Sequence, residues 1–206
     1  MTLIAVLDYG IGNLRSAQKA LEHVGADARL TADPALIRDA AGVVLPGVGA
    51  LGRCMQALRA AGLDAITEEV IDAGVPFLGI CVGMQMLFER SEESPDERGL
   101  GILPGAVRRL PDGVKRPQMQ WNLLERRGDP PLLAQAPDPA WAYFVHSYSA
   151  DTEDELVTST CDYGGPVVAS VGRGNLWATQ FHPEKSGRTG LAVLRAFVDA
   201  AEEGRA

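Results

Sequence analysis

Cys81 is the side chain in this sequence that is best placed to act as a nucleophile. It lies in Gly79-Ile80-Cys81-Val82-Gly83, between an apolar run over 75–80 that predicts a strand buried on both faces and helical spacing over 84–89. A side chain lifted onto such a sharp strand-to-helix turn needs neighbours without Cβ atoms, which the two glycines provide. The free amides at a helix N-terminus favour the thiolate, the nucleophilic form of cysteine. An inert buried cysteine is the competing interpretation, and the paired glycines weigh against it.

His182 and Glu184 supply the acid-base partner that such a nucleophile needs. A strand predicted over 176–181 ends on His182-Pro183-Glu184. Pro183 fixes the backbone, and residues two apart on an extended chain can point the same way, so we expect Glu184 to reach the imidazole. The sequence therefore predicts a triad with Cys81 as nucleophile, His182 as acid and base, and Glu184 as the orienting carboxylate. For His182 alone, a structural histidine would be the simpler interpretation.

Pro46-Gly47-Val48-Gly49 follows a strand predicted over 42–45. A segment of this composition exposes backbone amides and changes conformation easily, as an oxyanion hole for a cysteine nucleophile requires. An ordinary turn is the alternative.

A second glycine-bearing turn precedes the first predicted helix. Gly10-Ile11-Gly12 lacks the third glycine of a dinucleotide-binding fingerprint, so it favours a tight turn over a nucleotide site. Asn13 is expected to be the N-cap of the helix that follows.

Strands and helices alternate up to Arg90. Strands are predicted over 3–7, 28–30, 42–45 and 75–80, and helices over 14–24, 34–39, 50–60 and 63–73. This alternation predicts an α/β fold with an open, mostly parallel twisted sheet and helices on both faces, a flavodoxin-like arrangement of three layers. Sheets of this kind place their sites at the carboxyl ends of strands.

The pattern changes after Arg90. The acidic stretch 91–101 is expected to be an exposed loop whose carboxylates, among them Glu93, are solvated. Short strand-like pieces over 106–110, 141–148, 167–172 and 176–181 predict a smaller antiparallel extension, and a final helix is expected over 190–203. His146 is expected either in the core or in a pocket wall. No long linker interrupts the chain, so we expect a single domain over 1–206.

Composition limits the possible partners. The chain has 206 residues, 46% apolar and 22% charged, with a formal net charge of -8, which is typical of a globular protein and gives no electrostatic footprint for nucleic acid or an anionic membrane. The 3 cysteines and 3 histidines have no spacing typical of a disulfide framework or a metal site, and no cofactor is expected. The N-terminus enters a strand without a leader, and no apolar run reaches the length of a membrane span. We therefore expect a reducing, cytoplasmic setting.

Taken together, these motifs resemble those of the class I (triad) glutamine amidotransferases. The resemblance spans nearly the whole chain and rests on motifs at 8–14, 46–49, 79–85, 143–148 and 181–186. The cysteine and His-Pro-Glu motifs are shared by the class. Asp-Tyr-Gly-x-Gly-Asn-Leu at 8–14 and the lysine after His-Pro-Glu are similar to one member, a glutaminase subunit that works with a cyclase.

The resemblance implies roles for individual residues. Cys81 would attack the side-chain amide of L-glutamine, His182 would protonate the departing ammonia, and water would hydrolyse the resulting thioester to glutamate. The oxyanion would be held by the backbone amide of Val82 and, if the strand over 46–49 turns inward, by that of Val48 or Gly49. The glutamine pocket would be formed by Gly47, Gln85, Ser147 and Tyr148.

The resemblance also implies a protein partner, a (β/α)8-barrel cyclase subunit that receives the ammonia in a heterodimer. Positions expected near that interface are Asn13, Trp121, Asn122 and Lys185. The family usually reads His-Met-Gly-Trp-Asn where this chain has Gln118-Met119-Gln120-Trp121-Asn122. Gln120 lacks the conformational freedom of glycine and is expected to add bulk at the partner contact.

Two other functions remain open at this point. A class I amidotransferase could serve another acceptor, such as chorismate or a pyridoxal phosphate precursor. A degenerate amidotransferase could regulate a partner without catalysis, although the complete set of Cys81, His182 and Glu184 disfavours this.

Overall fold

A central eight-stranded sheet organises the molecule. The computed structural model describes residues 1–204. The first four strands, which alternate with helices, are β1 (Leu3–Leu7), β2 (Asp27–Thr31), β3 (Gly42–Gly47) and β4 (Phe77–Cys81). The later strands are β5 (Arg90–Ser91), β6 (Ala106–Arg109), β7 (Gln118–Leu123), β8 (Glu125–Arg126), β9 (Trp141–His146), β10 (Tyr148–Asp151), β11 (Val157–Asp162), β12 (Pro166–Arg173) and β13 (Leu176–Thr179). The helices are α1 (Leu14–His23), α2 (Pro34–Asp39), α3 (Leu51–Ala60), α4 (Leu63–Asp72), α5 (Val82–Gln85) and α6 (Gly187–Glu203).

The strand order of the main sheet is β2-β1-β3-β4-β13-β12-β11-β8. The strands from β2 to β13 in this order are parallel, and β12, β11 and β8 extend the sheet in antiparallel fashion. Two smaller sheets, β10-β6-β5 and β7-β9, complete the fold. The predicted α/β architecture, a mostly parallel sheet with an antiparallel extension, is confirmed.

The central strands are buried on both faces. Every residue of β3 and β4 is buried, as expected for parallel strands that lie between two helical layers. α1 packs against α6, whereas α2 and α3 pack against α4. No helix within residues 1–204 has the length and apolarity needed to cross a bilayer.

The helix predicted over 84–89 is wrong in position and length. α5 begins directly after the cysteine and ends at Gln85, after 4 residues. The chain then leaves the helix because the carbonyls of Met86 and Phe88 accept hydrogen bonds from the amides of Leu100 and Gly101. These long-range bonds replace the intrahelical bonds that would have continued α5.

Candidate active site

Three neighbouring parallel strands end at one edge of the sheet, and each carries one of the predicted segments. Cys81, the last residue of β4, pairs with Gly47 of β3. On the other side of β4, Thr179 of β13 pairs with Ile80, and His182 follows shortly after. The glycine-rich segment, the cysteine and the histidine therefore meet at the carboxyl ends of adjacent strands, as the fold class predicts.

The turn at Cys81 is tight and strained. Cys81 has φ 56° and ψ -111°, and it is the only residue other than glycine with positive φ in residues 1–204. Such a conformation costs on the order of 1–3 kcal/mol. A Cβ atom on Gly83 would lie 1.9 Å from the Leu45 carbonyl oxygen, and one on Gly79 would lie 3.0 Å from the Gly83 oxygen. The two glycines are thus required because the turn packs directly on the neighbouring backbone.

The His182 imidazole is held by Glu184. Nδ1 of His182 lies 2.8 Å from Oε1 of Glu184, and the two side chains are only 2% and 1% exposed. The predicted contact is present, but the predicted geometry is not: residues Pro183–Lys185 form a 3-10 turn rather than extended chain. The proline starts this turn, which curls the carboxylate back under the imidazole.

Backbone contacts with β9 fix the His182 turn. The His182 amide donates to the Tyr143 carbonyl at 3.1 Å. Oγ of Ser186 accepts from the Tyr143 amide at 2.9 Å and donates to the His182 carbonyl at 2.7 Å. The position of the imidazole therefore depends on the position of β9.

Opposite charges are favoured on His182 and Glu184. Burial by itself lowers the pKa of His182, but hydrogen bonds with Cys81 and Glu184 outweigh it and raise that pKa to about 9. Burial opposes ionisation of Glu184, yet the hydrogen bonds from His182 and Asn13 hold its pKa below the usual value. At neutral pH the imidazole is therefore a cation between the sulfur and the carboxylate.

Asn13 does not cap α1 with its side chain, contrary to the sequence-based expectation. It occupies the N-cap position, but no side-chain cap bond forms. Instead its Nδ2 donates to Oε1 of Glu184 at 3.0 Å. Asn13 and His182 are thus two donors on one carboxylate oxygen, which connects the opening turn of the chain to the His182–Glu184 pair.

A cavity of about 190 Å³ opens at the cysteine. This volume is below the roughly 300 Å³ typical of drug-sized ligands, so it fits a small metabolite. Its lining residues are Val48, Gly49, Cys81, Val82, Gln85, Glu93, Val145, His146, Ser147, Tyr148, His182 and Lys185. Gly47 was expected at the pocket wall but is not among the lining residues. It packs against the start of α5 instead, where a Cβ on Gly47 would lie 2.6 Å from the Gly83 amide nitrogen.

Glu93 falls in the acidic stretch that was predicted to be a solvated loop. In the structure it lines the cavity, and its Oε2 accepts a hydrogen bond from the Leu51 amide at 2.9 Å, at the start of α3. It thus supplies a carboxylate to the pocket. The sequence does not predict that Glu93 lines the cavity, because nothing in the acidic stretch distinguishes it from the neighbouring carboxylates.

The glycine-rich segment is fixed from its buried side. The Tyr9 hydroxyl donates to the Pro46 carbonyl at 2.6 Å, and the Cys54 thiol donates to the Val48 carbonyl at 3.3 Å. Burial raises the pKa of both Tyr9 and Cys54, so each stays protonated and able to donate. Within residues 1–204, neither the Val48 nor the Gly49 amide donates to another protein group. Two amides therefore remain available beside the cavity.

Comparison with known proteins agrees with this geometry. The family described as Glutamine amidotransferase class-I matches residues 5–201. The chain belongs to this family. Among relatives of similar length, the imidazole glycerol phosphate synthase subunit HisH of Bacillus cereus is 46% identical over 97% of this chain and 96% of the relative. The protein of the same name from Symbiobacterium thermophilum is 49% identical over 94% of this chain and 92% of the relative.

The fold is also found among solved structures. The chain is similar to the structure of PurLQS from Thermotoga maritima, with a TM-score of 0.76, 22% identity, and coverage of 97% of this chain and 99% of that one. At this identity the similarity shows the fold of the amidotransferase and nothing finer.

Beside the cavity of this amidotransferase lies an exposed apolar surface on the β7–β9 ribbon, which we call the ribbon face. Its large exposed side chains are Met119 (61%), Trp121 (48%), Leu123 (40%) and Trp141 (48%). Trp121 pairs with Tyr143 and Leu123 with Trp141 across the ribbon, so these side chains share one face. Lys185 is exposed at the cavity, and the residues that follow it, Ser186 and Gly187, line a surface pocket together with Trp121 and Trp141.

Asn122 and Gln120 point away from the ribbon face. The alternation of the strand places them with Gln118 on the opposite side from Trp121. Asn122 Nδ2 donates to the Asp162 carbonyl at 2.8 Å, Gln120 donates to Asn122 Oδ1, and Gln118 is fully buried. The extra bulk of Gln120 therefore does not lie on the ribbon face.

Proposed function

We propose that this chain is the glutaminase subunit of imidazole glycerol phosphate synthase. It hydrolyses L-glutamine and delivers the ammonia to a (β/α)8-barrel cyclase subunit, which forms imidazole glycerol phosphate and aminoimidazole carboxamide ribotide in histidine biosynthesis. The observation that carries this proposal is the 46% to 49% identity, over nearly full length, to relatives that bear the name. Its 3 free cysteines are compatible with a reducing, cytoplasmic location.

The first half of the reaction uses the cation at His182. The Cys81 thiolate attacks the amide carbon of the glutamine side chain, and the amides of Val82 and of Val48 or Gly49 stabilise the oxyanion. As the C–N bond breaks, His182 gives its proton to the departing nitrogen, which leaves as ammonia. A γ-glutamyl thioester on Cys81 remains.

The second half reverses the proton transfer. A water molecule attacks the thioester while neutral His182 takes its proton, and glutamate leaves as the C–S bond breaks. The sulfur departs as a thiolate beside the newly formed imidazolium. Glu184 stabilises that cation in both halves and keeps Nδ1 protonated, so Nε2 faces the sulfur.

Recognition of free glutamine requires groups for its ammonium and its amide. Glu93 supplies a carboxylate within the cavity, which is the group expected to bind the α-ammonium. Gln85, Ser147 and Tyr148 line the same cavity and form the rest of the glutamine pocket.

The ribbon face is the surface on which we place the cyclase. Exposed tryptophans beside an active site are typical anchors of a protein interface. The ribbon is also connected to the triad, because β9 holds the His182 turn through the backbone of Tyr143. The ring of Trp121 lies 6.0 Å from that of Tyr143. Docking of the cyclase on Trp121 would therefore influence the position of the His182 imidazole through Tyr143.

The test is glutamine hydrolysis by the purified chain, alone and with the cyclase and its ribonucleotide ligand. We expect strong stimulation by the liganded partner. Cys81→Ala should abolish hydrolysis and leave the complex intact, whereas Trp121→Ala should weaken the complex and Gln120→Ala, on the opposite face, should not.

Two outcomes would contradict the proposal. An active glutaminase that the liganded cyclase does not stimulate would indicate another acceptor. Failure of a glutamine-analogue electrophile to label Cys81, alone and in the complex, would indicate a binding protein without catalysis.

A further inference from the structure

Gln180 is a buried residue that contacts the nucleophile and has no role in the reaction described above. It follows β13 directly and is 0% exposed. Its Nε2 lies 3.7 Å from the Cys81 sulfur, within hydrogen-bonding range for sulfur. Its backbone amide donates to the Ala169 carbonyl at 2.8 Å, which fixes the side chain's point of attachment.

A chain of hydrogen bonds sets the direction of the Gln180 amide. The Tyr148 carbonyl can only accept, so the Gln85 group 2.9 Å from it must be the NH₂. The same NH₂ lies 3.0 Å from the Gln180 side chain, which must therefore present its oxygen there. The NH₂ of Gln180 is thus directed at the sulfur, and turning the amide over would place two acceptors or two donors together.

Gln180 approaches the sulfur from the protein side. Cys81 and His182 line the cavity, but Gln180 does not. A substrate entering the cavity would therefore meet the sulfur from the opposite side and would not displace this donor.

We propose that Gln180 donates a hydrogen bond to the Cys81 thiolate, which stabilises the nucleophile and holds it towards the cavity. This inference rests on the proposed glutaminase function. Hydrogen bonds to ionised groups are stronger than those between neutral groups, so the bond forms most favourably in the thiolate state. Because Gln180 does not touch the cavity, its loss should lower kcat and leave KM unchanged.

Alkylation of Cys81 by iodoacetamide, followed as a function of pH, tests the bond directly. The three cysteines fall in different tryptic peptides, and Cys81 lies in the one that spans 60–90, so mass spectrometry reads it separately. In Gln180→Met, which keeps the length and removes the donor, we expect the midpoint of alkylation to rise by about one pH unit, a tenfold change in thiolate fraction at lower pH. kcat for glutamine in the cyclase complex should fall roughly tenfold with it.

Thr179→Val is the matched control. Thr179 is its buried neighbour, and its hydroxyl donates to the Phe181 carbonyl at 3.0 Å without contacting the sulfur. The control should leave the midpoint unchanged. Gln85→Leu leaves Gln180 present but removes the group that orients it, so it should raise the midpoint of alkylation by less than Gln180→Met does. It replaces Gln180→Met as the test if that variant does not fold.

Four results separate the inference from its alternatives. An unchanged midpoint in the folded Gln180 and Gln85 variants overturns it, as does an equal rise in Thr179→Val, which would indicate general loosening. A rise in Gln180→Met, with a smaller rise in Gln85→Leu and no rise in Thr179→Val, supports it. If the unsubstituted chain shows no glutaminase activity but the midpoint still rises, the proposed function fails and the hydrogen bond stands.

Discussion

His146 should make the stability of this protein fall at mildly acidic pH. The residue is 6% exposed, and its Nδ1 donates to the Tyr148 carbonyl at 2.8 Å. Burial lowers the pKa of His146 to about 4, and repulsion from His182 adds to the effect, which together outweigh the hydrogen bond to the carbonyl. The folded protein therefore holds this imidazole neutral.

The sign and size follow from the difference between the two states. In the unfolded chain the histidine titrates at about 6.5, so between pH 6.5 and 4 the unfolded state binds one proton more than the folded state. The free energy of unfolding accordingly decreases as the pH falls through this window. The full difference between 6.5 and about 4 corresponds to about 3 kcal/mol, of which about 2 kcal/mol is lost by pH 5.

Urea unfolding at pH 7.5 and pH 5 isolates this loss by comparison with a variant that lacks the imidazole, because His182, whose pKa is raised, changes stability in the opposite direction in both proteins. His146→Asn retains an amide donor for the Tyr148 carbonyl but cannot titrate, so its free energy of unfolding should decrease by about 2 kcal/mol less than that of the unsubstituted protein. His23→Asn, at an exposed histidine of α1, should follow the unsubstituted protein. Parallel pH dependence for His146→Asn and the unsubstituted protein would refute the reasoning.

Three further predictions concern the site. Because the pKa of His182 is raised to about 9, glutaminase activity of the complex should fall as the pH rises through about 9, where His182 loses the proton that it gives to ammonia. A fall in activity centred near pH 6.5 would contradict this prediction. Gly83→Ala should lower the free energy of unfolding by about 3 kcal/mol or more, because the new Cβ would lie 1.9 Å from a backbone oxygen. Urea unfolding measures this change. In the control Gly204→Ala the new Cβ would have no atom nearer than 3.4 Å, so the free energy of unfolding should change by less than about 0.5 kcal/mol. Asn13→Ala removes one hydrogen-bond donor from Glu184 and should lower kcat about tenfold with little change in KM. Steady-state kinetics of the complex measure both constants. An unchanged kcat would exclude a role of Asn13 in positioning Glu184.

Local sequence was sufficient where the determining contacts are close in the chain. The strand-to-helix turn at Cys81 was predictable because Gly79 and Gly83 report a close backbone approach at fixed offsets. The contact between His182 and Glu184 was predictable for the same reason, although its 3-10 geometry was not. The alternation of strands and helices up to Arg90 fixed the fold class, because periodicity of apolar residues is itself a local property.

Residues whose roles depend on distant partners were not predictable. Nothing in the sequence around Glu93 distinguishes it from its solvated neighbours, since its role comes from lying against the start of α3. Asn13 has the residue type of a helix cap, and its side chain donates to Glu184 only because the fold brings the two residues together. In the sequence, Gln180 is only one polar residue at the end of a predicted strand. The pairing of β13 with β4 brings it to the Cys81 sulfur.

The sequence by itself thus determined the chemical groups, the turn that presents Cys81 and the α/β class. The tertiary structure alone decided which groups meet, because the pairing of β3 and β13 on either side of β4 joins segments that are far apart in the chain. It also decided that the ribbon face and the His182 turn are connected through β9. Strand order is set by packing of the whole core, and no local pattern encodes it.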